Sequence, residues 1–157
     1  MAGLPFDLNM LIRRATPSDC PQLTTLVERY WHFEQIEGFD RERICQLLQA
    51  FIAQPERSAC WVAERTGAFC GYLLAVYVLS LEFGGTVGEI DELYVLDSHR
   101  SAGIGRQLAQ QAIEEMTQAG VVHVQLQLGT ANRSGRAFYE RLGFRARAGY
   151  ELLGRDL

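Results

Sequence analysis

The sequence has no apolar run approaching the length of a membrane span, no Cys-x-x-Cys pair and only three histidines, none placed near a cysteine in a zinc-like pattern. The first absence excludes a helical membrane protein. The others remove zinc ribbons and dithiol redox centres, so no metal site is expected. Cys20, Cys45, Cys60 and Cys70 are scattered and read as reduced core thiols. The start, MAGLPFDLNM, lacks a basic region followed by a long apolar core, which makes the cytoplasm the expected location. No internal repeat, low-complexity tract or linker interrupts the chain.

What is present fits one globular domain over residues 1–157. At 157 residues and 48% hydrophobic composition the chain can bury a sizeable core without disulfides or metal. The net charge of -4 argues against a general nucleic-acid binder. Acidic residues cluster from Glu82 to Asp97, whereas Arg133, Arg136, Arg141, Arg145 and Arg147 make a later segment basic. This asymmetry suits a ligand with one anionic and one cationic end.

Periodicity predicts a strand over 9–15 and then a helix to about Phe33, with Thr16 as N-cap and Pro17 in its first turn. A second helix follows over 41–53. Strands over 59–64 and 69–79 read as an antiparallel pair joined at Thr66-Gly67, with Gly71 marking close packing. A strand over about 87–96, a helix over 103–119 stopped by Gly120, and a strand over 121–128 come next. Asn132 caps a further helix that Gly143 ends, and Phe144–Arg147 and Tyr150–Leu153 read as short closing strands. The expected architecture is α/β (α+β), with helices flanking a mixed, mostly antiparallel sheet. Trp31 stands near the junction of the first two helices, where it either shapes an acceptor pocket or packs the helices together.

The chemistry concentrates between Glu89 and Leu108. The strand carries Glu89, Asp91 and Glu92. The following helix opens with Gly103-Ile104-Gly105 flanked by Arg100 and Arg106, residues suited to an anion at a helix N-terminus. A dinucleotide fingerprint fails because Leu108 occupies the third glycine position, and a P-loop fails because no Gly-Lys-Ser or Gly-Lys-Thr follows. Strand alternation places Glu89 and Asp91 on one face with Leu93 and Val95, and Glu92 on the other with Ile90 and Tyr94, unless a bulge resets the pattern.

Arg100-x-x-Gly103-x-Gly105, after a strand ending Leu93-Tyr94-Val95, resembles the acyl-coenzyme-A motif of the GNAT superfamily of N-acetyltransferases. Asn132 followed by Ala137-Phe138-Tyr139-Glu140-Arg141-Leu142-Gly143-Phe144 is similar to the second family element. The likeness runs from about Ile12 to Leu153. It implies the GNAT fold with a splayed cofactor cleft, acetyl-CoA as acyl donor, and pyrophosphate binding by Ser101, Ala102, Gly103, Ile104, Gly105 and Arg106. Arg100 would help neutralise the phosphates, and Asn132 would contact the cofactor. The pantetheine arm would pair along Leu93, Tyr94 and Val95, with the Val95 amide as oxyanion donor. Tyr139 matches the tyrosine that protonates the departing thiolate in many relatives, a task open to a phenol of ordinary pKa about 10. Asp91 and Glu92 align with an acidic pair that faces the amine in polyamine acetyltransferases, and Glu89 with a glutamate of histone-type relatives. Asp91 and Glu92 are favoured as the acceptor-side acids, with Glu82 as a further cation contact. The implied activity is acetyl transfer to a small cationic amine: a polyamine, an amino-acid-like amine or an aminoglycoside. A peptide or protein amine and a non-catalytic acyl-CoA sensor are the alternatives. Relatives often form homodimers.

Overall fold

The computed structural model describes residues 10–157. They fall into two compact units, the first ending at Gln127 and the second spanning Leu128–Leu157.

The first unit is a five-stranded sheet in the order β1-β2-β3-β4-β5. β1 is Met10–Arg14, β2 is Ser58–Arg65, β3 is Ala68–Ser80, β4 is Gly85–Val95 and β5 is His123–Leu126. The first three pairings are antiparallel and β4 with β5 is parallel. Helices α1 (Cys20–Phe33) and α2 (Arg41–Ile52) cover one face, where Leu23, Leu26, Val27, Ile44 and Leu48 join Cys60, Val62, Tyr72, Leu74 and Tyr94 in one buried cluster. Helix α3 (Ile104–Gln118) covers the other face, with Leu108 and Met116 fully buried near Gly71 and Gly88.

Local chemistry accounts for most boundaries. Thr66 and Gly67 both take positive φ, 50° and 80°, the geometry a two-residue hairpin needs. A short 3-10 turn at Pro17–Asp19 precedes α1, and the Asp19 carboxylate accepts from the Thr16 N–H at 2.7 Å. Asp40 caps α2 by accepting from the Arg43 N–H. Gly120 ends α3 in a left-handed conformation, so that the Val121 and Gly120 amides reach back to the Met116 and Thr117 carbonyls.

In the second unit, α4 (Arg133–Arg141) is capped by Asn132, whose side chain accepts from the Gly135 N–H at 2.8 Å. It ends in the same double bond: Phe144 N–H to the Tyr139 carbonyl and Gly143 N–H to that of Glu140.

Several expectations are corrected. Asn9 lies outside the described residues, and the first strand is described from Met10. The strand expected over 121–128 is confined to 123–126. The closing strands expected at Phe144–Arg147 and Tyr150–Leu153 are not formed. Within this unit Tyr150, Leu152 and Leu153 are largely exposed, and an isolated pair of strands without an apolar face to cover has little to hold it together.

Gly71 marks close packing. A Cβ there would stand 2.9 Å from the Tyr94 carbonyl oxygen and 3.2 Å from Leu108 Cδ1. Gly71→Ala should therefore cost roughly 1–3 kcal/mol in urea denaturation, the usual range for overpacking. An unchanged midpoint would show that β4 and α3 can yield.

Candidate active site

One residue in β4 has no counterpart on β3. Leu74 pairs with Glu92 and Ala75 with Ile90, which leaves Asp91 as a bulge. Paired residues share a face, so Glu92 lies with Leu74 and Tyr94, and Glu89 lies with Val76. This corrects the alternation read from sequence. Glu89 and Glu92 are on the same face, the α1/α2 face, while Ile90, Leu93 and Val95 look toward α3. The partners of Glu89 and Glu92 on β3, Val76 and Leu74, are two positions apart, so the backbones of the two acids are about 7 Å apart.

The three acids have different surroundings. Glu89 is held by two amides, Gln125 Nε2 at 2.8 Å and Gln127 Nε2 at 3.1 Å. Asp91 faces solvent at the bulge, yet the protein packed around it and, second, the charge of Glu89 raise its pKa. Glu92 is half-buried and accepts from the Tyr72 hydroxyl at 2.7 Å. Burial pushes its carboxyl up to about 7, with the Tyr72 bond opposing that rise and the Asp91 charge adding to it. Burial first, then the Glu92 charge, raises the Tyr72 phenol well above its ordinary value, so the proton of this bond stays on the tyrosine. Around the pair, Tyr30 packs on Tyr72 edge to face and on Tyr94 at 5.9 Å between centroids.

β4 also carries an open edge. Its pairing with β5 runs from Val87 to Ile90 and stops, so Asp91–Val95 have no ladder partner on that side among the described residues. On the β3 side the Leu96 N–H donates to the Cys70 carbonyl. In an antiparallel ladder bonded pairs alternate, which turns the N–H and C=O of Val95 and Leu93 toward the open edge and those of Tyr94 toward β3.

Beyond β4, Asp97–His99 form a 3-10 turn, and Ser101 and Gly103 take φ of 67° and 78° before α3 begins. The helix has no side-chain cap and no acid in its first turn. Its first internal bond is Gln107 N–H to the Gly103 carbonyl, so the N–H groups of Ile104, Gly105 and Arg106 lack helical acceptors. Left-handed residues ahead of a helix N-terminus whose first amides lack helical acceptors are a geometry that suits an anion.

Other candidates are placed differently. Arg100 donates from Nε to the Val95 carbonyl and pairs with Asp97, so its guanidinium is engaged within the chain. Trp31 packs against Phe39 and the core, the helix-packing alternative. Glu82 lies in the β3–β4 turn, separated from Glu92 by most of the length of β4, and is not brought to the other acids. In the second unit, Asn132 spends its side-chain oxygen on the α4 cap. Tyr139 packs between Phe138 and Phe144, and burial pushes its phenol up to about 12. Sequence reasoning missed Tyr72, Gln125 and Gln127, whose roles depend on cross-strand register.

Residues 20–144 match the model of the Acetyltransferase (GNAT) family. An uncharacterized N-acetyltransferase of Archaeoglobus fulgidus is 30% identical over 132 residues, covering 83% of this chain and 89% of that protein. The aminoalkylphosphonate N-acetyltransferase of Salmonella typhimurium is 34% identical over 84 residues, 54% of either chain. Among solved structures, an aminoglycoside acetyltransferase from an uncultured soil sample, in complex with sisomicin, superposes with a TM-score of 0.81 at 19% identity, covering 96% of this chain and 98% of that one. A predicted acetyltransferase of Clostridium acetobutylicum with acetyl-CoA gives 0.78 at 18% identity, covering 92% and 96%. At these identities the structural likeness shows the fold.

Carboxyl NMR should find Glu92 titrating near pH 7, and Tyr72→Phe should raise that midpoint further, since the lost bond favours the ionised form. A midpoint in the ordinary carboxylate range would contradict the placement. Stability follows the same sign. Because the folded pKa of Glu92 is raised above the ordinary 4.5, its contribution is full below that value and is lost as pH rises through about 7. The melting temperature of Glu92→Gln relative to the parent should therefore climb between pH 4.5 and pH 7.

Proposed function

The chain belongs to the GNAT acetyltransferase family and is an N-acetyltransferase; we propose that it transfers acetyl from acetyl-CoA to a primary amine of a small cationic substrate by direct attack in a ternary complex. The observation that carries this reading is Glu92, a half-buried carboxyl with a pKa near 7, on the α1/α2 face of β4 beside the strand's open edge.

An amine reaches the enzyme as an ammonium ion and must lose a proton before it attacks. A base whose pKa matches the operating pH is half ionised there and suited to that step. Asp91 and Glu89 add negative charge around the base and favour a cationic acceptor. The amine nitrogen then bonds to the acetyl carbonyl carbon as the carbon–sulfur bond breaks. The open-edge N–H of Val95 is directed outward and is available to the oxygen on which charge develops. The unpaired amides from Ile104 to Arg106 would take the pyrophosphate, and Leu93 and Val95 would pair with the pantetheine arm.

Tyr139 is assigned as proton donor to the departing thiolate through its place in the second family motif. With a pKa of about 12 it is fully protonated at neutral pH. It is also a weaker acid than a thiol of ordinary pKa about 8.5, so donation runs uphill unless the thiolate is generated in a medium that raises its basicity. An acyl-enzyme route has little support: Cys20, Cys60 and Cys70 are buried, and burial raises their thiols, which makes them poor nucleophiles.

The acceptor class follows from charge. A polycationic amine, such as a polyamine or an aminoglycoside, meets three acids on β4. An aminoalkylphosphonate would bring its phosphonate toward the same carboxylates, which disfavours it.

Release of free coenzyme A thiol should be followed against polyamines, aminoglycosides and aminoalkylphosphonates. All 15 basic residues are arginine, so the protein offers no lysine of its own as a competing acceptor. The polycations should give the higher kcat/KM. Coenzyme A binding without amine-dependent release would favour a sensor, and a preference for the phosphonates would overturn the charge argument. Glu92→Gln should lower kcat/KM by about 10²–10⁴-fold, the span of general base catalysis. Tyr139→Phe should reduce turnover far more than cofactor affinity, whereas Gly103→Asp, at a left-handed position facing the anion site, should weaken cofactor binding.

A further inference from the structure

Arg100 opens the glycine-rich motif and has the charge expected of a phosphate ligand, but its guanidinium is committed elsewhere. Nε donates to the Val95 carbonyl at 3.0 Å, and Nη2 meets Asp97 Oδ1 at 2.9 Å. The guanidinium carbon lies 4.3 Å from the centroid of Phe33 and 5.5 Å from that of Tyr94. These partners belong to three pieces of structure. Phe33 is the last residue of α1, Tyr94 and Val95 end β4, and Asp97 begins the 3-10 turn that leads into the loop.

We propose that Arg100 is a positioning residue, a latch that fixes the loop of Ser101 to Arg106 to the end of β4 and to α1, and that it is not a phosphate ligand. The inference rests on the reading above that this loop receives the pyrophosphate. The loop needs such a tie. It places Ser101 and Gly103 in left-handed conformations, and α3 starts without a side-chain cap, so little else within the loop holds its amides in register. A planar guanidinium can stack on rings while donating in its own plane; an ammonium has no such plane. The bond to Val95 has a second consequence. With the carbonyl taken by Arg100, the N–H is the group Val95 has left for a partner at the open edge, so the cofactor ladder ends there with a donor facing outward. Phe33 ties this arrangement to α1, the helix that borders the acceptor side, so the latch links the two halves of the site.

The test uses the ligand-free protein first. Amide exchange should be followed at His99 and Gln107, whose N–H groups donate to the Leu96 and Gly103 carbonyls. Both Arg100→Ala and Phe33→Ala should speed exchange there by about tenfold, with β2 and the middle of β3 unchanged, as expected for a local opening. Coenzyme A affinity is the second readout. Arg100→Lys keeps the charge but not the planar fork, and it should bind coenzyme A as weakly as Arg100→Ala. Unaltered exchange in either alanine variant would overturn the latch. So would wild-type affinity in Arg100→Lys, the result expected of a phosphate ligand. Failure of the parent protein to bind coenzyme A would instead strike the loop reading, and the exchange measurement would still decide the latch.

Discussion

One extra residue in β4, Asp91, sets the geometry on which the rest of the site depends. By interrupting the two-residue repeat it carries Glu92 to the face already occupied by Glu89, into hydrogen-bonding reach of Tyr72 and under the aromatic side chains of α1. β4 also loses its pairing with β5 just before the bulge, after Ile90. The same stretch of strand thus carries a half-buried carboxyl on one face and, among the described residues, an edge without a ladder partner alongside it. A strand continuing in regular register would keep its edge paired and send Glu92 to the α3 side, against a helix lined by Leu108, Ala112 and Met116.

The two ends of this region handle opposite charges by different means. Toward the helix, the proposed means is backbone amides: Ser101 and Gly103 turn the chain left-handed and α3 begins with N–H groups that lack helical acceptors, so an anion there would meet fixed dipoles. Toward the sheet, side chains do it. Glu89 is pinned by two glutamine amides, Glu92 is tuned by burial and a tyrosine hydroxyl, and Asp91 remains in contact with water. Burial of Glu92 costs stability once it ionises, a cost consistent with the proposed role of a base near neutral pH.

Much of this was legible from the chain alone. Pro17, Gly103, Gly120, Asn132 and Gly143 stand where helices begin or stop, because caps are local chemistry and local chemistry is written in adjacent residues. The glycine-rich loop and the Phe138-Tyr139 segment could be placed for the same reason. The faces of the acids could not. Strand alternation groups Glu92 with Ile90 and Tyr94 unless a bulge intervenes; adjacent residues do not say where a bulge falls, and the one at Asp91 parts Glu92 from Ile90, keeps it with Tyr94 and sets it beside Tyr72. The contacts of Arg100 were not legible either, because its stacking on Phe33 joins residues far apart in sequence. The expected strands after Phe144 failed in a different way. Tyr150, Leu152 and Leu153 have the composition of a strand, but a strand also requires a neighbour with free hydrogen-bonding groups, and their unit supplies none that they pair with.

The central claim is that the end of β4 is an open ladder awaiting a partner strand, and amide exchange by NMR with and without coenzyme A tests it most directly. In the free protein the Leu93 and Val95 amides should exchange fast and those of Tyr94 and Leu96 slowly. Coenzyme A should then protect Leu93, acetyl-CoA should protect Val95 as well, and the other two should stay as they were. Saturating acetyl-CoA with no change at Leu93 or Val95 would contradict the account.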